Sequence, residues 1–340
     1  CNKLEFKSPD YGKSTTYFAN QTPIRTLVLG ANDPFDNTKD NNLQISIPVS
    51  IGGMSDNSRD RKVGYTVDET LVRNLYTSTG DTLVALPQAY YTLSDAGTVI
   101  IPKGSMQGFI NVQLNDAFLN DPKALSNHYV IPLKLISAET DSILQGKPAV
   151  DNPDRRVPTD WAVSPKDYTI FGIKYINMYH GNYLYFGKAS IKSLEGIQVN
   201  EAVYSKRDIA DNEILMLNNT GRSSVSMSTT IPLSLGNAGN VNMILSFDDN
   251  GVVTVKKSDN DLTVVSGTGS FLKEGIELGG IKRNRIALNY SYTFDYAVEP
   301  TATITNDADP RVSYSGTWNH NAEGGNYNGD RSYANTVGAS

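Results

Sequence analysis

The sequence predicts an all-β chain of two domains: an N-terminal two-sheet sandwich of the immunoglobulin type, then a C-terminal antiparallel barrel. Three observations predict it. Short runs rich in Val, Ile, Leu and Tyr recur between Gly, Pro, Asn and Asp. The only helix candidates, Asp68–Leu75 and Asp116–Leu125, are too short to form a layer. A proline-rich stretch near the middle separates two patterns, and 340 residues suit two domains of about 150 residues, each able to bury its own core.

In chain order, residues 1–13 are polar and unpatterned and read as a tether. A β-sandwich is expected over 14–148. Its strands are Ile24–Leu29, Leu43–Ile51, Val63–Val67, Thr98–Ile101, Phe109–Leu114 and Tyr129–Ile136, with turns at Gly52-Gly53, Asp95-Ala-Gly97 and Pro102-Lys-Gly104. Seven or so such strands fit an immunoglobulin-type pair of sheets. Residues 149–163 read as a linker. Gly146-Lys-Pro-Ala-Val-Asp-Asn-Pro-Asp-Arg-Arg-Val-Pro158 surrounds its start, and proline removes backbone donors and restricts the preceding residue. A barrel is expected over 164–340, from Tyr168–Tyr175, Gly181–Phe186, Val241–Phe247, Val252–Lys256, Leu262–Gly267, Ser270–Lys273, Arg285–Phe294 and Arg311–Trp318. Asn250-Gly251 is a hairpin signal, because both residues accept the positive φ of a type I′ turn. A meander of this kind hides its edges by closing into an up-and-down barrel. The Gly/Asn-rich stretch 319–340 reads as a loop or frayed tail.

Composition narrows the function. Charged residues make up 19% of the chain and 19 residues are Tyr, so neutral polar and aromatic groups supply the polarity. The net charge of −6 argues against nucleic acid, which needs a concentrated basic face; Lys282, Arg283 and Arg285 are a short cluster with Glu274 and Glu277 beside it. The single cysteine is Cys1, so no intrachain disulfide or cysteine zinc site exists. An N-terminal Cys is expected to be the lipidation site left by a processed lipoprotein signal peptide. Membrane contact would then run through the lipid anchor alone, since two or more acyl chains hold a protein stably and no apolar run approaches the ~20 residues of a spanning helix.

Two sets of residues carry a resemblance. Tyr17-Phe-Ala-Asn-Gln-Thr-Pro-Ile-Arg-Thr-Leu-Val-Leu-Gly30, Gly52-Gly53, Leu86-Pro-Gln-Ala-Tyr-Tyr91, Ile101-Pro-Lys-Gly104 and Tyr129-Val-Ile-Pro-Leu133 resemble, in that order, a domain of unknown function at the N-terminus of many Bacteroidetes lipoproteins. Pro165-Lys-Asp-Tyr168 and Lys174-Tyr-Ile-Asn-Met-Tyr-His-Gly-Asn-Tyr-Leu184, running on through Tyr185-Phe186 to Gly187, resemble the companion C-terminal domain, a calycin-like barrel. That companion has basic residues where this chain has Tyr185-Phe186. The resemblance implies an exported, lipid-anchored protein encoded near starch-utilisation-like glycan uptake genes, with outer-membrane glycan transporter components as partners. It implies no defined reaction.

The chemistry-bearing motifs are sparse. There is no Gly-x-Ser-x-Gly elbow, and His128, His180 and His320 are the only histidines. No His-Glu-x-x-His exists, and Asp248-Asp-Asn-Gly251 lacks the rest of a calcium loop. Asp33, Asp36 and Asp40 are candidate calcium ligands, although Asp in β-loops also serves turn hydrogen bonding. No metal or cofactor is assigned. Glycoside hydrolysis needs two facing carboxylates, and among 36 acidic residues no pair stands out. Sugar binding needs aromatic faces with polar neighbours. The candidates are Trp161, Tyr179, Tyr183, Tyr185 and Trp318, with Asn177, His180 and Asn182. The competing use of these rings is core packing: Gly181-Asn-Tyr183 resembles the Gly-x-aromatic of a calycin first strand, whose ring closes one barrel end against a late Arg, here Arg311. Tyr183 and Tyr185 alternate and so share a face.

The expectation is a cell-envelope lipoprotein of the outer membrane, on its surface or periplasmic side, that binds polysaccharide or oligosaccharide or serves as an accessory in its uptake. Asn2-Lys-Leu-Glu5 is not an acidic run, which keeps the periplasmic orientation open. The alternatives are a glycoside hydrolase using a carboxylate pair and a structural partner of an outer-membrane transporter.

Overall fold

Strand Gln107–Leu114 alternates exposed and buried residues along its whole length, as expected of a strand with one solvated face. Gln44–Gly52 pairs with it antiparallel, Ile47 opposite Ile110. Tyr91–Leu93, Thr15–Tyr17 and Ser142–Ile143 complete a five-stranded sheet. The structure, a computed structural model, describes residues 12–30, 36–95, 97–192, 198–208, 211–232, 238–258, 264–293, 303–306, 313–317 and 338–339. A second sheet runs Ile24–Val28, Tyr168–Ile176, Tyr129–Ala138, Arg61–Val67, Thr98–Ile101, with Val84–Ala85 added parallel to Tyr129–Val130. Ile45, Ile47, Ile110 and Val112 of the first sheet pack against Val63, Ile131, Leu133 and Ile173 of the second. The expected sandwich is present.

Tyr168–Ile176 is buried on both faces. Phe171, Ile173 and Tyr175 enter the main core. Tyr168 and Ile170, pointing the other way, pack with Val130 under Leu71, Leu75 and Leu83. The excursion between Val67 and Leu86 therefore lies across the outer face of the second sheet. The two helix candidates are present as short pieces: a 3-10 turn at Glu69–Val72, a helix at Asp116–Leu119 and a 3-10 turn at Pro122–Leu125.

The expected domain boundary needs correction. Tyr168–Ile176, assigned from sequence to the barrel, is hydrogen-bonded between Tyr129–Ala138 and Ile24–Val28, and the chain divides between Ile176 and Asn177. Nor is 149–163 a free linker. Arg155 Nε and Nη2 grip Asp167 at 3.1–3.2 Å, whose side chain is fully buried. Arg156 pairs with Asp154 and donates to the carbonyls of Leu71 and Arg73. Trp161–Val163 pairs with Lys147–Pro148. The prolines bend this segment while the arginines fasten it. From the far end of the chain, Gly338–Ala339 pairs with Leu75–Tyr76; the rest of 319–340 lies outside the described residues.

The second unit is a closed ring. Gly181–Tyr185, Glu213–Gly221, Ser224–Pro232, Ala238–Phe247, Val252–Lys257, Val264–Leu278 and Ile281–Thr293 pair antiparallel in succession. Ser313–Thr317 closes it by pairing with Gly181–Tyr185 on one side and Ile281–Thr293 on the other. This eight-stranded, up-and-down ring is the calycin-like barrel expected. Its interior is filled by alternate residues such as Tyr183, Leu217, Met227, Met243, Val253 and Leu288. Thr303–Asn306 pairs with the end of Ile281–Thr293, and through it Lys188–Lys192 and Gln198–Val203 form a side branch outside the ring. Gly269 sits where a Cβ would come within 2.2 Å of the Ala287 carbonyl oxygen, a close approach only glycine permits.

The hairpin at Asn250-Gly251 is present, but its turn is not type I′. Gly251 has φ +77° while Asn250 does not enter the positive region. The Asp248 carboxylate accepts from the backbone N–H of Asn250 (2.9 Å) and Val252 (2.7 Å), holding a wider loop that needs one left-handed residue. Among the described residues, no helix is long and apolar enough to cross a membrane.

Candidate functional site

Most of the aromatic and amide residues expected to meet a ligand are committed elsewhere. Asn177 is buried. Its Nδ2 donates to the carbonyls of Gly221 (2.8 Å) and Ser224 (2.9 Å), and its Oδ1 accepts from the N–H of Tyr179 and His180. Tyr183 and Tyr185 share a face, as their alternation requires, and that face is the barrel interior, where each is 2% exposed. The Tyr183 hydroxyl donates to the Tyr179 carbonyl at 3.0 Å; burial pushes it well above the ordinary phenol range. Tyr185 packs on Tyr204 with ring centres 4.8 Å apart. Trp161 donates its indole N–H to the Asp154 carbonyl and lies under the Arg155 guanidinium. As ligand contacts, Asn177, Tyr183 and Tyr185 are therefore corrected to structural residues. Trp318, Arg311 and Cys1 lie outside the described residues.

Tyr179, His180 and Asn182 keep partial exposure. The Tyr179 ring stacks on Phe247 at 3.7 Å and meets Phe271 edge-on at 4.9 Å. Burial, then the charges of Asp249 and Asp248, raise its hydroxyl. The Nδ1 of His180 accepts from the Asn219 N–H at 3.2 Å, which fixes the ring as part of the barrel wall.

The calcium candidates are also occupied. Asp36 accepts from the N–H and hydroxyl of Thr38, bonds that lower its carboxyl. Asp40 is buried, pairs with Arg25 and accepts from the Val28 N–H. Asp33 lies outside the described residues. Among the described residues no three His, Cys, Asp or Glu side chains gather around one point.

Open polar space lies instead on the sandwich, where the 67–86 excursion crosses the second sheet. A cleft of ≈ 550 Å³ has Thr77, Thr79, Asp81 and Thr82 on one wall and Ser126, Asn127, His128 and Lys174 on the other. Sequence dictates the first wall. Gly80, at φ +89°, turns the chain so that the Thr77 N–H donates to the Asp81 carbonyl at 2.8 Å, and the hydroxyls of Thr77 and Thr79 run on to the Asp81 carboxylate. The second wall is held by the Val84 N–H donating to the His128 carbonyl. Lys174 is the one charged residue of strand Tyr168–Ile176. Asp81 and His128 were visible in sequence without a reason to pair them. Lys174 had a signal: a lone cation in a strand whose other residues are almost all buried.

A wider depression of ≈ 830 Å³ lies between Thr66–Val72 and Val84–Gln88. Its two carboxylates, Asp68 and Glu69, are sequence neighbours, and Asp68 is taken up in capping Thr70 through N–H and hydroxyl at 3.1 and 2.6 Å.

Two family models divide the sequence. One described only as a "-like, N-terminal domain" matches residues 11–142, and Domain of unknown function (DUF5627) matches residues 178–326. A crystal structure of a Bacteroides ovatus protein of unknown function is 31% identical, over 92% of this chain and 96% of that one, with a TM-score of 0.82. The chain belongs to that protein's family. A second Bacteroides ovatus protein of unknown function is 14% identical over 89% of this chain and 94% of its own, with a TM-score of 0.44. A multidomain Bacteroides ovatus protein including DUF1735 is 12% identical over 89% and 93%, with a TM-score of 0.43. No curated protein matches the sequence. The second family match starts at residue 178, next to the structural division after Ile176, so the family's two modules meet where the sandwich ends.

Proposed function

We propose that this chain is a non-catalytic glycan-binding lipoprotein of the cell envelope, anchored through acyl chains on Cys1, and that the sandwich cleft between Asp81 and Lys174 takes the sugar. The observation that carries the reading is the cleft's lining, in which every side chain is polar. Hydroxyl, amide, imidazole, carboxylate and ammonium groups face one another there, and they match a ligand that presents donors and acceptors on all sides. Its volume falls within the usual range of ligand sites, roughly 300–1,000 Å³.

Binding is favoured over hydrolysis. Cleavage needs two carboxylates about 5–9.5 Å apart across a cleft, and Asp81 is the one carboxylate among the residues lining this cleft. The proposed partners are polysaccharide or oligosaccharide and the components of an outer-membrane glycan transporter.

Affinity electrophoresis and glycan arrays with the full chain test the reading. Retention by at least one polysaccharide, weakened when Asp81 and His128 are both replaced by Ala, is the expected result. Silence across a broad panel of plant and host glycans would overturn it. Mass spectrometry of the protein from its native envelope checks for acylated Cys1.

A further inference from the structure

The second wall of the cleft carries polar groups that no described side chain pairs with. The Lys174 ammonium makes no ion pair or hydrogen bond with any described residue. Lys174 is half-buried on the strand next to the sheet's edge strand Ile24–Val28, with its charge facing the cleft. Asp81, on the facing wall, accepts from Thr79 at 2.8 Å and forms no ion pair with Lys174. Asn127 lines the same wall. His128 packs edge-on against Tyr129 at 4.8 Å, and neither of its ring nitrogens has a partner among the described residues.

We infer that the ligand is an acidic sugar, a hexuronate unit whose carboxylate pairs with Lys174 while its hydroxyls meet Asn127 and His128. The inference rests on the cleft being the glycan site. A neutral sugar satisfies the amide and the imidazole but leaves the ammonium uncompensated. An inorganic anion satisfies the ammonium but leaves the hydroxyl-binding groups idle. A carboxylate on a hydroxyl-rich ring satisfies both, and a charge-assisted hydrogen bond is the stronger kind.

Calorimetric titration of the full chain with oligogalacturonate, and with the same oligomer methyl-esterified, provides the test. The ester removes the charge and keeps the ring, so the comparison needs no altered protein. The acid is expected to bind about 10-fold more tightly than the ester, the effect of one charged hydrogen bond. Lys174→Gln is expected to abolish that preference at an unchanged unfolding temperature. Equal affinity for acid and ester would overturn the acidic-sugar inference and leave glycan binding standing. Failure of both, together with every neutral glycan, would overturn the glycan reading as well.

Discussion

At the scale of single residues, the groups that look most like ligand contacts in the sequence are the ones that hold the fold. Asn177 satisfies two carbonyls and two N–H groups with one buried carboxamide. An Asn177→Asp variant keeps the acceptor and loses the donor, leaving two carbonyl oxygens against a carboxylate. It is expected to lose at least ~2 kcal/mol of stability, read as a lower urea midpoint at unchanged slope. Tyr168 gives a pH signature. Burial, then the charges of Asp154 and Asp167, push its hydroxyl up to about 12, and that hydroxyl donates to the Arg155 carbonyl at 2.8 Å. A raised folded value means that its contribution is complete below the ordinary tyrosine value near 10 and is lost as pH rises toward 12. Tyr168→Phe should therefore flatten the fall of stability between about pH 10 and 12, measured by denaturant titration at each pH. An equally steep fall in the variant would show that Tyr168 does not supply that slope.

At the scale of elements, strand Tyr168–Ile176 decides where the first domain ends. A fragment stopping at residue 163 removes it, opening Tyr129–Ala138 and Ile24–Val28 to solvent and uncovering Leu71, Leu75 and Leu83. That fragment is expected to lack a cooperative thermal transition, whereas one stopping at 176 keeps it. Cooperative unfolding of the shorter fragment would contradict the assignment. The alternation of Gln107–Leu114 and the run Tyr129–Ile136 were legible in sequence because each strand's burial follows its own period. Tyr168–Ile176 was legible as a strand but not as a member of the sandwich, since its partners lie far away along the chain. The proline-rich segment misled for a physical reason. Proline reports lost backbone donors, while the packing of 149–163 comes from Arg155 and Arg156, whose partners Asp167, Leu71 and Arg73 no local pattern reveals.

At the scale of the whole molecule, sequence predicted the two β modules and the closed ring, because a meander with alternating apolar residues has few other ways to hide its edges. The proposed cleft was not predicted. The aromatic candidates include Trp161 ahead of the barrel and, within it, Tyr183 and Tyr185, which turn inward to fill its interior. The open polar space lies on the first module, assembled from three segments around residues 80, 127 and 174. Each segment is unremarkable alone, and only the crossing of the 67–86 excursion over the sheet unites them. A crystal structure of the full chain with a bound uronate oligosaccharide tests this placement most directly. The account predicts sugar density between Asp81 and Lys174 with a carboxylate on the lysine ammonium; sugar seated instead on the barrel beside Tyr179 and Phe271, with the sandwich cleft unchanged, would contradict it.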